Sequence, residues 1–231
     1  MLEFLNVNLR QGDFHLSASF SVEAPGIVAV IGPSGAGKST LLAAVSGFLP
    51  PDGGDVLWLG ESLIPLSPGS RPVTTVFQDQ NLFPHLTAFQ NVGLGLSPRL
   101  KLSSEDRGAV EDALAQVGLA GLGTRRPAEL SGGQAGRVAL ARALVRARPI
   151  VCLDEPFSAL GPSLRHEMLD LVGEVLSDAL VLMVTHDPSD ARRSAPRSIV
   201  VADGMAHAPK ETAALLDDPP EALRSYLGAQ P

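Results

Sequence analysis

The run GIVAVIGPSGAGKST, Gly26 to Thr40, decides how this chain folds. It opens with a continuous apolar stretch that ends in glycine, as a strand buried in a parallel sheet would. Glycines and small residues follow, and then a helical segment read from about Lys38 to Phe48 and stopped by Pro50 and Pro51. Gly32, Gly37, Lys38 and Ser39 match the spacing G-x-x-x-x-G-K-[ST]. Glycines let backbone N–H groups turn inward around phosphate oxygens. The helix points its positive end at the same anion. In such a loop Gly32, Pro33, Ser34, Gly35, Ala36, Gly37, Lys38, Ser39 and Thr40 line a phosphate cradle. Lys38 is read as reaching the β- and γ-phosphates, and Ser39 as offering its hydroxyl to Mg²⁺.

Outward from that loop the chain alternates strand and helix patterns. Residues 2–9 and 14–22 read as strands joined by the turn QGD, and GDVLWLG as a further short strand. VTTVFQ (73–78), IVCLD (150–154), LVLMVTH (180–186) and SIVVAD (198–203) read as buried strands, with helical segments such as LRHEMLDLVGEVL between the later ones. Residues of roughly 85–147 read as an inserted, mainly helical lobe, with a capped helix start at Ser103 or Ser104. The tail after Ala208 is polar and at most helical. A mostly parallel α/β sheet results.

Composition bounds the function. The 231 residues suit one large domain, or one domain with an inserted lobe. A net charge of −7 argues against a general nucleic-acid binder. Basic residues are mostly arginine; the lysines are Lys38, Lys101 and Lys210. The single cysteine, Cys152, sits in an apolar run and reads as a core residue, which suits a reducing compartment. The N-terminus lacks a signal-peptide pattern and no apolar run approaches the roughly 18 residues of a membrane span. A soluble, cytoplasmic chain is therefore expected, reaching a membrane only through partners.

Other strand ends supply chemistry. Asp154 ends an apolar strand, where a lone carboxylate is costly and a Mg²⁺ ion would satisfy it. Glu155 follows and suits a general base for a water attacking a γ-phosphate. Gln78 can touch Mg²⁺ or that water, and His186 can hold the γ-phosphate. LSGGQAGRVALARAL, Leu130 to Leu144, is a second anion-binding helix start: Ser131 is a natural N-cap, followed by Gly132, Gly133 and Gln134.

LSGGQ is the signature of the ATP-binding-cassette (ABC) family, and the chain resembles that family over residues 1–205. GPSGAGKST looks like its Walker A loop, Gln78 like its Q-loop glutamine, IVCLDEP like Walker B and His186 like its switch histidine. The resemblance implies a P-loop nucleotide-binding domain over 1–231, with a mostly parallel core sheet, an antiparallel β subdomain and the helical lobe. It also implies ATP and Mg²⁺ as ligands. Two cassettes would pair head to tail, each ATP held between one chain's P-loop and the other chain's Ser131, Gly132 and Gly133.

The stretches at 73–96, GLSPRLKLSSED and RSIVVADG narrow the likeness to bacterial importer cassettes, those for thiamine or thiamine pyrophosphate above all. Membrane-spanning permease subunits, and indirectly a periplasmic solute-binding protein, are then implied, with the chain on the cytoplasmic face of the inner membrane. Docking is expected around Asp79 to His85 (Leu82, Phe83, Pro84) and the lobe. Iron, sulfate or polyamine import is the alternative. A cassette of DNA repair or translation fits less well, for want of paired cassettes or basic extensions. A small-molecule kinase would have no use for LSGGQ.

Three departures from the family stand out. Gly161 replaces the aspartate of the usual SALD, so coupling across the dimer is expected to be weaker. LRQGDF carries Arg10 and Gln11 where an adenine-stacking aromatic is usual; Arg10 or Phe14 are the substitutes. Ala135 and Gly136 follow LSGGQ, and Gly136 costs the helix about 1 kcal/mol against alanine.

Overall fold

The computed structural model describes residues 1–79, 81–221, 223, 224 and 228. In chain order the elements are β1 (Leu2–Gln11), β2 (Phe14–Val22), β3 (Gly26–Ile31), α1 (Lys38–Ser46), β4 (Gly53–Trp58), β5 (Glu61–Ser62) and β6 (Val73–Val76). Then come α2 (Ala88–Gly93), α3 (Ser104–Gln116), α4 (Gly132–Arg146), β7 (Ile150–Asp154), α5 (Pro162–Val175) and β8 (Leu180–Val184). The last are α6 (Pro188–Ser194), β9 (Arg197–Ala202), β10 (Met205–Ala206), β11 (Lys210–Glu211) and α7 (Thr212–Asp217).

Among the described residues the strands form one sheet in the order β5-β4-β1-β2-β10-β9-β3-β8-β7-β6, with β11 also on β9. From β9 through β3, β8 and β7 to β6 every pairing is parallel. The pairs β1–β2, β1–β4 and β4–β5 are antiparallel. The antiparallel part is not a separate sheet. The two-residue strand β10 lies between β2 and β9 and continues the hydrogen bonding from one part to the other. It is too short to show a period, so the sequence gives no sign of it.

The central strands β3, β7 and β8 are largely apolar and buried on both faces, as their runs require. One face packs on α1 and the interior of β1 and β2, around Val28, Leu41, Val45 and Cys152. The other packs on α4 and α5 and reaches α2 and α3 (Val92, Val110, Leu140, Met168). Cys152 is fully buried and its thiol is pushed up to about 12 by desolvation, so it is inert packing.

Some boundaries differ from the expectation. Helix α1 stops at Ser46, not Phe48, because Gly47 takes the left-handed conformation and closes the helix before either proline is reached. Arg71, almost fully buried, donates through Nη1 to the carbonyls of Ala44 (2.7 Å) and Val45 (2.9 Å) at that end. β6 stops two residues before Gln78 and β8 two before His186, so both side chains stand on loops. The chain after Ala208 is not merely a polar tail: Leu215 and Leu223 are buried against Ala29, Ile31 and Ala202. Ser103 caps α3 in a reciprocal pair with Asp106. Among the described residues no helix is long and apolar enough to cross a membrane.

Candidate functional site

Parallel pairing sets the C-terminal ends of β3, β6, β7 and β8 along one edge, where open α/β sheets bind ligands. Each carries one piece of the site in the loop that follows it.

The loop after β3 is shaped by two close approaches. Gly32 has φ +150°, and a β-carbon there would lie 2.0 Å from the Val201 carbonyl oxygen, so only glycine fits between β3 and β9. Gly37 has φ +104°, and a β-carbon there would lie 2.5 Å from Cζ of Phe14. Phe14 thus packs over the loop from β2, half-buried against the core, while Arg10 is exposed on the hairpin opposite His15. Pro33, Ala36 and Thr40 are half-buried, and Ser34 and Gly35 are exposed.

Lys38 is only 7% exposed. Its Nζ folds back into the loop and donates to the carbonyls of Gly32 (2.9 Å) and Pro33 (2.8 Å). Burial pulls its pKa down, and the charges of Glu155 and Asp154 push it up. The cation is therefore held inside the cradle on neutral acceptors, with two carboxylates near enough to be felt.

Ser39 Oγ donates to Asp154 Oδ1 at 2.9 Å, joining the head of α1 to the end of β7. Desolvation raises the Asp154 pKa; the Ser39 bond lowers it, the Glu155 charge raises it, and Lys38 lowers it. A hydroxyl and a desolvated carboxylate in contact are the hard oxygen donors that Mg²⁺ takes, beside phosphate and water oxygens. Among the described residues no group of three or more His, Cys, Asp or Glu is set to hold a metal, so one carboxylate here would share an ion with other donors.

Glu155 has φ +44°, a conformation that costs a non-glycine residue on the order of 1 kcal/mol. Its N–H donates to the Val184 carbonyl on β8, which holds the turn in place. The turned carboxylate lies 3.2 Å from Nδ1 of His186, Oε2 to ring nitrogen. Gln78 Nε2 donates to Ser158 Oγ at 3.3 Å, and Ser158 Oγ donates to the Glu155 carbonyl at 3.1 Å. Lys38, Ser39, Gln78, Asp154, Glu155 and His186 are thus linked through direct contacts or shared electrostatics. Ser158 joins this chain as well; the sequence offered it only as part of SALG, with no sign that it meets Gln78.

The second anion-binding start stands at α4. Ser131 and Gln134 form a reciprocal cap: Gln134 N–H donates to Ser131 Oγ (3.3 Å) and Ser131 N–H to Gln134 Oε1 (3.0 Å). Ser131 and Gly132 are exposed. Gly133 is buried, and a β-carbon there would lie 2.6 Å from Leu164 Cδ2 on α5, so its smallness serves close helix packing. The sequence marks Gly133 for anion binding and carries no sign of this packing.

Asp154 allows a prediction on stability. Its folded pKa is raised, so the fold prefers the acid; the cost of the charge sets in as pH rises through the ordinary aspartate value of about 4. Asp154→Asn is expected to melt higher than wild type at pH 7 without nucleotide, the gain shrinking as pH falls toward 4, and to lose ATP turnover. Calorimetry and phosphate release check the two halves; a lower melting temperature at pH 7 contradicts the first.

Known proteins resemble the chain in sequence and fold. Residues 16–158 match the sequence profile described as ABC transporter. The chain is 61% identical over 230 residues, 99% of its length and all of the relative's, to the Thiamine import ATP-binding protein ThiQ of Cereibacter sphaeroides. It is 58% identical over 231 residues to the protein of the same name from Ruegeria sp. (strain TM1040), again across the whole relative. The dimeric structure of a post-hydrolysis state of the ATP-binding cassette MJ0796 bound to ADP and Pi superposes with a TM-score of 0.78 at 30% identity, covering 92% of this chain and 99% of that one. With this profile and these full-length likenesses, the chain belongs to the ABC transporter family.

Proposed function

We propose that this chain is the ATP-hydrolysing subunit of a bacterial importer for thiamine or thiamine pyrophosphate, acting as a homodimer on the cytoplasmic face of the inner membrane. The observation that carries the hydrolytic reading is the convergence of Lys38, Ser39–Asp154 and Glu155–His186 at one sheet edge. The full-length likeness to thiamine import ATP-binding proteins supports the solute, and the dimeric cassette structure supports the pairing.

The phosphates of ATP bind over Gly32–Thr40, with Lys38 exchanging its two carbonyl partners for phosphate oxygens. Ser39, Asp154 and Gln78 would hold Mg²⁺, which when bound neutralises charge on the phosphate oxygens. Gln78 orients a water, and Glu155 accepts its proton as the water oxygen attacks the γ-phosphorus. The bond from that phosphorus to the β–γ bridging oxygen breaks and its electrons leave on ADP. His186 holds the γ-phosphoryl oxygens from beside Glu155.

The partner chain's Ser131 hydroxyl and the N–H groups of Gly132 and Gly133 complete the phosphate site, with Gln134 keeping Ser131 in its cap. Loss of the γ-phosphate removes that link and lets the chains separate. The domain is read as a single unit over 1–231, its helical lobe at roughly 85–147 serving the contact with membrane-spanning subunits. Phe83 (46% exposed) and Pro84 are the proposed contacts. Leu82 packs into the lobe instead. Buried Asn91 pins that loop, accepting from Phe83 N–H (2.8 Å) and donating to Phe83, Leu86 and Thr87 carbonyls. A periplasmic solute-binding protein would deliver the solute to the permease.

Uptake of labelled thiamine tests this. A strain lacking the gene is expected to recover uptake with the wild-type chain and not with Lys38→Ala. Recovery of iron, sulfate or polyamine uptake without thiamine uptake overturns the solute assignment.

A further inference from the structure

We propose that Arg165 is a positioning residue for ATP hydrolysis: it clamps the turn that carries His186 to the helix leaving the Ser158–Gly161 segment. This rests on the reading of His186 and Glu155 given above.

Helix α5 begins after Gly161, and Arg165 lies one turn in, its N–H donating to the Gly161 carbonyl at 2.9 Å. Its side chain is 15% exposed and meets two carboxylates that straddle His186 in sequence. Nη2 donates to Asp187 Oδ2 at 2.8 Å. Nε faces Asp190 Oδ1 at 3.3 Å as an ion pair, the two atoms buried and without hydrogen-bond alignment. The turn is tied further from within. Thr185 Oγ1 donates to Asp190 Oδ2 (3.1 Å) and accepts from Asp187 N–H (3.1 Å). Asp187 Oδ1 accepts from Ser189 N–H and caps α6. Both neighbours of His186, Thr185 and Asp187, are therefore held by one network that ends on a single guanidinium.

A role in stability alone is a poor account of this cluster. Desolvation raises the pKa of Asp190 against the pull of Arg165, so the pair is set where charge is costly, and buried ion pairs contribute little net stability beside apolar packing. What the guanidinium provides is one hydrogen bond to Asp187 and a buried charge facing Asp190, on the two sides of the same turn. These two contacts set the His186 turn relative to α5, and His186 Nδ1 lies 3.2 Å from the Glu155 carboxylate. On the other side, Ser158 bonds the Glu155 carbonyl and receives Gln78. The first turn of α5 and the segment before it thus bracket Glu155 and His186 from both sides. With glycine at 161, where the family carries a carboxylate, Arg165 is the charged link from this segment to the His186 turn.

The full-length chain with Mg²⁺-ATP is the test. Arg165→Ala is expected to lower kcat about 30- to 100-fold with KM for ATP within about threefold, the pattern of a lost transition-state effect. Arg165→Lys, which keeps the charge but has a shorter head that cannot both bond Asp187 and face Asp190 as the guanidinium does, is expected to lower kcat about tenfold and gives the answer should the alanine variant not fold. The double variant Arg165→Ala/His186→Ala is expected to be no slower than His186→Ala alone, since a residue acting through another adds nothing once that other is gone. Wild-type kcat in Arg165→Lys or Arg165→Ala overturns the proposal, as does a full multiplication of the two single losses. A parallel rise in KM and fall in melting temperature with kcat unchanged marks Arg165 as structural only and overturns it too. If His186→Ala itself turns over at the wild-type rate, it is the reading of His186 that fails.

Discussion

Glu155→Gln is expected to lower ATP turnover by about 10²- to 10⁴-fold, the range general-base catalysis supplies, while the chain still binds ATP and accumulates as a dimer. The backbone turns Glu155 toward His186 at the sheet edge, where the proposed general base belongs. Its positive φ, 44°, turns the chain sharply after β7, and its N–H bond to Val184 fixes that turn to β8. Glutamine keeps the size and a hydrogen-bonding oxygen toward His186 but has no basic oxygen to take a proton. Binding should survive because Lys38 and Ser39, in the loop after β3 and the head of α1, are untouched. Phosphate release gives the rate, and gel filtration with and without ATP gives the association state. A variant that hydrolyses ATP at the wild-type rate overturns the role of Glu155; one that stays monomeric with saturating ATP overturns the shared-nucleotide arrangement.

Lys38→Ala is expected to leave no turnover above background. Among the described residues, Lys101 lies in the loop before α3 and Lys210 in β11, and neither replaces an ammonium held inside the cradle by two carbonyls. Losing one such electrostatic contact in a preorganised site costs on the order of 10²- to 10³-fold, and here the cation also offsets the charges of Asp154 and Glu155 beside the incoming phosphates. The same variant tests the pairing. Ser131→Arg fills the exposed start of α4 with a long cationic side chain. Neither variant should turn over ATP alone. Mixed, they form a heterodimer with one intact site, Lys38 from the Ser131→Arg chain and Ser131 from the Lys38→Ala chain. Measurable turnover by the mixture is the expected outcome, and a mixture as inactive as its parts contradicts sharing across the dimer.

Much of the architecture was legible because strong local chemistry marks it. A strand buried on both faces must be apolar throughout, so β3, β7, β8 and β9 were placed within one or two residues. The ends of elements were harder. Gly47 closed α1 ahead of Pro50 because a left-handed glycine satisfies the last carbonyls at once, whereas proline only forbids continuation. The strand β10, which joins the antiparallel subdomain to the parallel core sheet, is two residues long and carries no period at all.

By itself the sequence determined the loop pattern at Gly32–Ser39, the acid pair Asp154–Glu155 at the end of β7 and the capped helix start at Ser131, because each is a local device. Backbone amides around an anion, a lysine and a hydroxyl must be close in the chain to act together, and so leave a readable pattern. The tertiary structure alone decided which distant groups meet. Ser39 reaches Asp154 across 115 residues, Glu155 reaches His186 across 31, and Arg165 grips the His186 turn from 22 residues away. It also decided that Gly133 is small for Leu164 and that Phe14 covers Gly37. Parallel register brings strand ends together whatever lies between them in the chain, so no spacing in the sequence records those contacts.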